Sequence, residues 1–207
     1  MVLTPRERLQ ALPVERQVQL LDPAEHEFAE HGYEQASINR ILKQAGMSKG
    51  QAYHYIAGKA DLYYAVMARA MARLTTQLNP QAVMEAEPDQ FWEALSVLFA
   101  RVSTCLSQDE RLAALARRCY DSPQSIAALK PLWDGLFEQL EQLLRRGQVI
   151  GVIRQDLPLS LLAPMVFAMA READQWFALH WPTLTAEQAQ TLNQQVVLSF
   201  QRFMGLP

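Results

Sequence analysis

The run Ser48-Lys49-Gly50-Gln51, followed by Tyr53 and His54, puts small and polar side chains at the start of what reads as a short helix. The carboxamide of Gln51 offers a donor beside an acceptor, the pattern that pairs with an adenine edge, and the ammonium of Lys49 reaches guanine acceptors or a phosphate. Tyr53 and His54 suit phosphates, contacts that fix register without reading sequence. Each of these residues alone is an ordinary solvated helix position, so only the arrangement carries meaning. The 207-residue chain has a formal charge of −3, yet Gln35 to Ala60 contains no acidic residue while Arg40, Lys43, Lys49 and Lys59 fall inside it. One patch is therefore basic although the total charge is not, and on charge alone such a window reads as an ordinary solvated face.

Other chemistries find less support. His26-Glu27-Phe28-Ala29-Glu30-His31 approaches a zinc-protease motif, but its histidines are five apart and do not share a helix face. Cys105 and Cys119 form no CxxC pair and have no histidine at ligand spacing, so reduced thiols are expected. A phosphate-binding glycine loop and a nucleophile elbow are both missing. The expectation is a protein that is not an enzyme and has no metal or cofactor. With no secretory leader pattern near the N-terminus and no apolar run of spanning length, no membrane role is expected and the cytoplasm is the expected location.

The elements that would hold these residues are all helical. A short helix precedes Pro13, another covers Val14 to Leu21, and Asp22-Pro23-Ala24-Glu25 makes a new helix start, so Pro23 should break or kink the run before it ends at Gly32. Ser37 caps a helix with Ile38, Ile41, Leu42 and Ala45 on one face, and Gly46 suits the left-handed turn that ends it. Met47 pins that turn, and Ser48 caps the next helix, whose inner face includes Ala52 and Ile56. Two short helices across so tight a turn make a helix-turn-helix, with the second helix placed for the major groove. Periodicity then predicts a long helix through Leu62, Val66, Ala70 and Leu74 to Asn79-Pro80, and others from Phe91 to Leu106 and from Asp109 to Tyr120. A further helix should run from near Pro123 to Gly147, and the last two from Pro158 to Trp181 and from Thr185 to Met204.

Gly32-Tyr33, Ser37-Ile38, Ile41, Ala45-Gly46-Met47-Ser48-Lys49-Gly50, Tyr53 and Lys59 resemble the N-terminal signature of the tetracycline-repressor (TetR) family over roughly Leu20 to Met67. The chain departs from that pattern at Ile56, where phenylalanine is usual, at Ala36, where threonine is common, and at Pro23. The resemblance implies an all-α protein with an N-terminal helix-turn-helix DNA-binding domain, residues 1–60, and a helical ligand-binding and dimerisation domain, residues 61–207. It places Ser37, Asn39, Arg40, Lys49, Gly50, Gln51, Tyr53, His54 and Lys59 at positions that touch DNA, and the recognition helix adds Ser48. It implies double-stranded operator DNA as partner, a small-molecule effector that releases it, and a homodimer through the last two helices. A two-fold operator with half-sites about 34 to 36 Å apart follows. Phe99, Trp133, Phe137, Met169 and Trp176 are the candidate walls of a largely apolar effector pocket. The competing reading is a helical small-molecule- or partner-binding protein with a vestigial DNA module.

Overall fold

A computed structural model describes residues 3–206. Among them every regular element is helical. In chain order these are α1 (Pro5–Gln10), α2 (Val14–Gln35), α3 (Ile38–Ala45), α4 (Lys49–Tyr55), α5 (Lys59–Leu78), α6 (Gln81–Glu85), α7 (Phe91–Gln108), α8 (Glu110–Arg118), α9 (Pro123–Ala128), α10 (Lys130–Val149), α11 (Leu159–His180) and α12 (Ala186–Met204), with a 3-10 turn at Trp181–Thr183.

The expected break at Pro23 is absent. α2 keeps helical backbone through the proline, and its only non-helical residue is Gly32, at φ 68°, ψ 179°. An internal proline costs about 3 kcal/mol through a lost hydrogen bond and a ring clash. Burial on either side offsets this, because Leu20, Leu21, Ala24 and Phe28 are all buried and a fully buried Leu or Phe contributes about 1.5–3 kcal/mol. The helix expected from Pro123 divides at Leu129 into α9 and α10. Pro131 explains the division: in the first turn of a new helix its missing N–H costs nothing, whereas in a continuous one it would remove a backbone bond. α6 has no counterpart in the periodicity, being too short to show one; Val83 anchors it as a buried side chain.

The chain forms two compact units. The first comprises the N-terminal residues as far as Ala72 together with Glu110–Leu132; the second comprises Arg73–Asp109 and the residues from Trp133 onward. In the first unit α2 is the central element, packed on α3 and α8. Its core joins Leu20 and Phe28 of α2, Ile41 of α3, Ile56, and Leu62 and Tyr63 of α5. Ile56 is fully buried, so the shorter side chain fills the place below α4. Tyr63 packs edge-on against Phe28 at 4.9 Å between ring centroids and donates its hydroxyl to the Arg118 carbonyl at 2.9 Å. Burial pushes that hydroxyl far above the ordinary tyrosine range, so it stays a donor. Arg118 caps the end of α2, donating to the carbonyls of Ala29 (3.3 Å) and Glu30 (2.7 Å). Arg69 of α5 forms a second tie to α2, pairing with exposed Asp22 at 2.7 Å and with Glu25, which is only 2% exposed, at 2.5 Å.

The second unit is built around Phe91 and Leu95 of α7, Leu144 of α10, Leu162 and Val166 of α11 and Phe200 of α12. Arg146 donates to the Met84 carbonyl, holding α6 in place. No helix among the described residues is long and apolar enough to cross a membrane.

Candidate nucleic-acid interface

The turn between α3 and α4 is made by local chemistry. Ser37 caps α3 by accepting the Arg40 N–H, and its own N–H donates to Glu27 at 2.7 Å. Gly46 takes φ 62°, ψ 30°, the left-handed conformation that a side chain resists, and the Met47 N–H reaches back to the Leu42 carbonyl at 3.0 Å. Met47 is half-buried over the turn. Ser48 and Gln51 then form a reciprocal cap: the Ser48 hydroxyl accepts the Gln51 N–H at 3.3 Å, and the Gln51 amide oxygen accepts the Ser48 N–H at 2.9 Å. Ala52 turns inward while Ser48, Lys49, Gly50, Gln51, Tyr53 and His54 are exposed. Tyr53 leaves a large ring 48% exposed on this face.

The remaining candidates sit differently. Asn39 is exposed on α3. Arg40 is held by Glu27, with Nε at 2.9 Å from Oε1, and also donates to the Gln35 carbonyl at 3.0 Å. Lys59 donates to the Glu34 carbonyl at 2.8 Å and lies over the Tyr33 ring at 5.1 Å. Both cations therefore already hold the ends of α2, α3 and α5 in register. Glu27 and Glu30 of the near-metalloprotease stretch pair with His31 and His26 across single turns, at 3.8 and 3.4 Å.

Glu27 is 3% exposed, and burial pushes its carboxyl up. The hydrogen bonds from Arg40 and from the Ser37 N–H, with the charges of Arg40 and His31, outweigh this and hold it below the usual glutamate range. A lowered folded pKa gives stability that is complete above the unfolded value and is lost as pH falls through the folded one. Urea denaturation of the wild type against Glu27→Gln should thus show a constant gap above about pH 5 that narrows as pH falls below the ordinary glutamate value. A gap independent of pH would remove this role from Glu27.

Sequence patterns did not pick out α1 as part of this region. Arg8 Nε donates to the His54 carbonyl at 2.6 Å, Arg6 pairs with Asp61 and lies 4.0 Å from the Tyr64 ring centroid, and Asp61 accepts the Ala57 N–H at 3.0 Å. α1 thereby braces α4 against the start of α5. The only hint was the pair of arginines before Pro13.

In the second unit, Phe99 stacks on Phe200 at 6.1 Å, Phe137 meets Phe167 edge-on at 5.3 Å, and Met169 packs on the same apolar cluster. Trp133 lies under the Arg171 guanidinium, 5.3 Å from Cζ to the ring centroid. Trp176 is 42% exposed and stacks on His180 at 4.3 Å. Arg171 was not anticipated, being the first charged residue after the apolar run of α11.

Residues 20–66, from α2 into α5, match the family model described as bacterial regulatory proteins, tetR family. The chain is 31% identical over 147 residues to the HTH-type transcriptional repressor AcnR of Corynebacterium diphtheriae, covering 71% of this chain and 73% of that one. It is 25% identical over 159 residues to the fatty acid metabolism regulator protein of Bacillus subtilis, covering 75% and 79%. The fold is shared with the crystal structure of FadR from Bacillus subtilis in complex with stearoyl-CoA, at a TM-score of 0.67 and 21% identity over 87% of this chain and 95% of that one. The helical bundle, the helix-turn-helix at its start and the identity to a named repressor across most of that repressor's length make this chain a member of the TetR family of bacterial transcription regulators.

Proposed function

We propose that the chain is a cytoplasmic, ligand-responsive repressor that binds a two-fold operator as a homodimer and leaves it when a small molecule binds. The observation that carries this is α4: a capped helix with a continuous polar, acid-free outer face of Ser48, Lys49, Gly50, Gln51, Tyr53 and His54. Lys49 and Gln51 read bases. Tyr53, His54 and Lys59 hold phosphates, with Ser37, Asn39 and Arg40 at the margin of the footprint. The functional division is DNA reading by residues 1–60 and effector binding and dimerisation by 61–207, with α8 and α9 as physical support for the former.

Gln51→Glu separates the two duties of that residue. Glutamate retains the reciprocal cap with Ser48 but loses the amide donor and meets phosphate with a negative charge. In a mobility-shift assay with DNA upstream of its own or a neighbouring gene, this variant should bind at least about 10-fold more weakly at unchanged thermal stability, a loss of about 1–3 kcal/mol in base recognition. Tyr53→Phe should lose affinity more uniformly across sequences. Unchanged binding in both variants would refute the assignment.

The homodimer is supported by the outer face of α11. At about 100° per residue, Leu161, Met165, Trp176 and Leu179 share one side of the helix, and all four are exposed, by 47%, 39%, 42% and 67%. Their neighbours Leu162 and Val166 are buried in the unit's own core, so this outward stripe is what remains for a partner. Leu161→Arg combined with Leu179→Arg should sediment as a monomer and lose cooperative operator binding; a dimer of wild-type affinity would remove α11 from the seam. An apolar effector accords with the named role of the Bacillus subtilis relative in fatty acid metabolism.

A further inference from the structure

Arg171 is a charged side chain drawn into the aromatic seam of α10 and α11. Phe167 precedes it by one turn on α11, and Phe137 and Trp133 repeat at the same spacing on α10, so that Phe137 meets Phe167 and Trp133 meets Arg171. The guanidinium is half-buried, with the indole of Trp133 on one side, inside the distance at which a cation is held by an aromatic face. Nε is fully shielded and has no hydrogen-bond acceptor among the described residues. A shielded donor without an acceptor is destabilising, and more so on a cation, whereas methionine or leucine would fill the same volume without that cost. An arginine here is accounted for by an acceptor that arrives from outside the chain.

We propose that Arg171 anchors the acidic group of the effector, and that the effector is an anionic amphiphile: a carboxylate or comparable oxyacid on an apolar body. This rests on the ligand-responsive reading above and adds the chemical class of the ligand. Once the side chains over Nε move aside, a carboxylate supplies two acceptor oxygens to the Nε and Nη edge of the guanidinium, and Phe137, Phe167 and the indole of Trp133 provide apolar surface for the rest of the molecule. The indole also orients the guanidinium before the ligand arrives.

The test uses two probes of equal chain length, dodecanoate and dodecanol, titrated into the full-length protein by calorimetry and followed by tryptophan fluorescence. The wild type should bind the acid about 10- to 100-fold more tightly than the alcohol, the range of a charge-assisted hydrogen bond. Arg171→Met should weaken the acid by a similar factor, leave the alcohol unchanged and melt no lower than the wild type. Arg171→Lys should retain part of the preference. Equal binding of both probes by the wild type, a preference that survives in Arg171→Met, or binding of neither probe would overturn the proposal. Operator release, measured in parallel, separates it from the function on which it rests. If dodecanoate binds through Arg171 while the operator stays bound, the anion site stands and the ligand-responsive reading falls. Release by dodecanol equally from the wild type and Arg171→Met would sustain that reading and overturn the anion site.

Discussion

Gly32→Ala is expected to destabilise the N-terminal unit by about 3 kcal/mol and to abolish operator binding with it. The backbone at φ 68°, ψ 179° lies in a region open to glycine alone, and forcing a side chain into such a conformation costs on the order of 1–3 kcal/mol. The added Cβ would also stand 2.5 Å from the Asp121 carboxylate and 3.4 Å from Arg118 Cδ. Asp121 would have to swing away from Arg118, its partner at 3.1 Å, and Arg118 is the residue that caps the Ala29 and Glu30 carbonyls. The substitution therefore acts on the junction of α2 with α8 as well as on one residue's backbone. Chemical denaturation followed by circular dichroism reads the loss; a midpoint equal to the wild type would mean that the backbone at residue 32 relaxes freely.

Arg69→Ala should cost about as much, by a different route. Breaking a buried ion pair typically costs about 3–5 kcal/mol, and the partial exposure of Arg69 places this case near the lower end. Asp22, more than half exposed, adds little, so Asp22→Ala should be nearly silent. Replacing both Arg69 and Glu25 by apolar residues of similar volume should recover much of the stability lost by Arg69→Ala, because the buried carboxylate is then gone as well. If the double variant is as unstable as the single one, the pair is not what binds α5 to α2.

The contrast between what local pattern foretells and what it misses follows from the range of each interaction. Ser37, Gly46 and Ser48 act on backbone groups within a few residues, so their spacing reveals α3, the turn and α4. Gly32 likewise marks the end of regular α2 backbone. Pro23 misleads because the burial that overrides it comes from other helices. The engagement of Arg40 depends on Glu27, thirteen residues earlier, and that of Lys59 on the Glu34 carbonyl, twenty-five residues earlier. A basic residue in an acid-free window looks uncommitted until its distant partner is seen. The same holds for the seam of α10 and α11, where aromatic residues at helical spacing were visible but the cation among them gained meaning only from the shielding of its Nε.

The split composition of the first unit bears on how the protein is made. Leu112 and Leu115 of α8, and the Arg118 that receives the Tyr63 hydroxyl and caps α2, arrive only after the whole of Arg73–Asp109 has been synthesised. On the ribosome, α2 to α5 must wait with one flank uncovered until residue 132 has emerged, and the unit closes across an intervening segment that belongs to the other fold. A nascent chain halted before α8 would hold an intact recognition motif on an unfinished support. Competence to bind an operator is thereby deferred until α8 and α9 have been made.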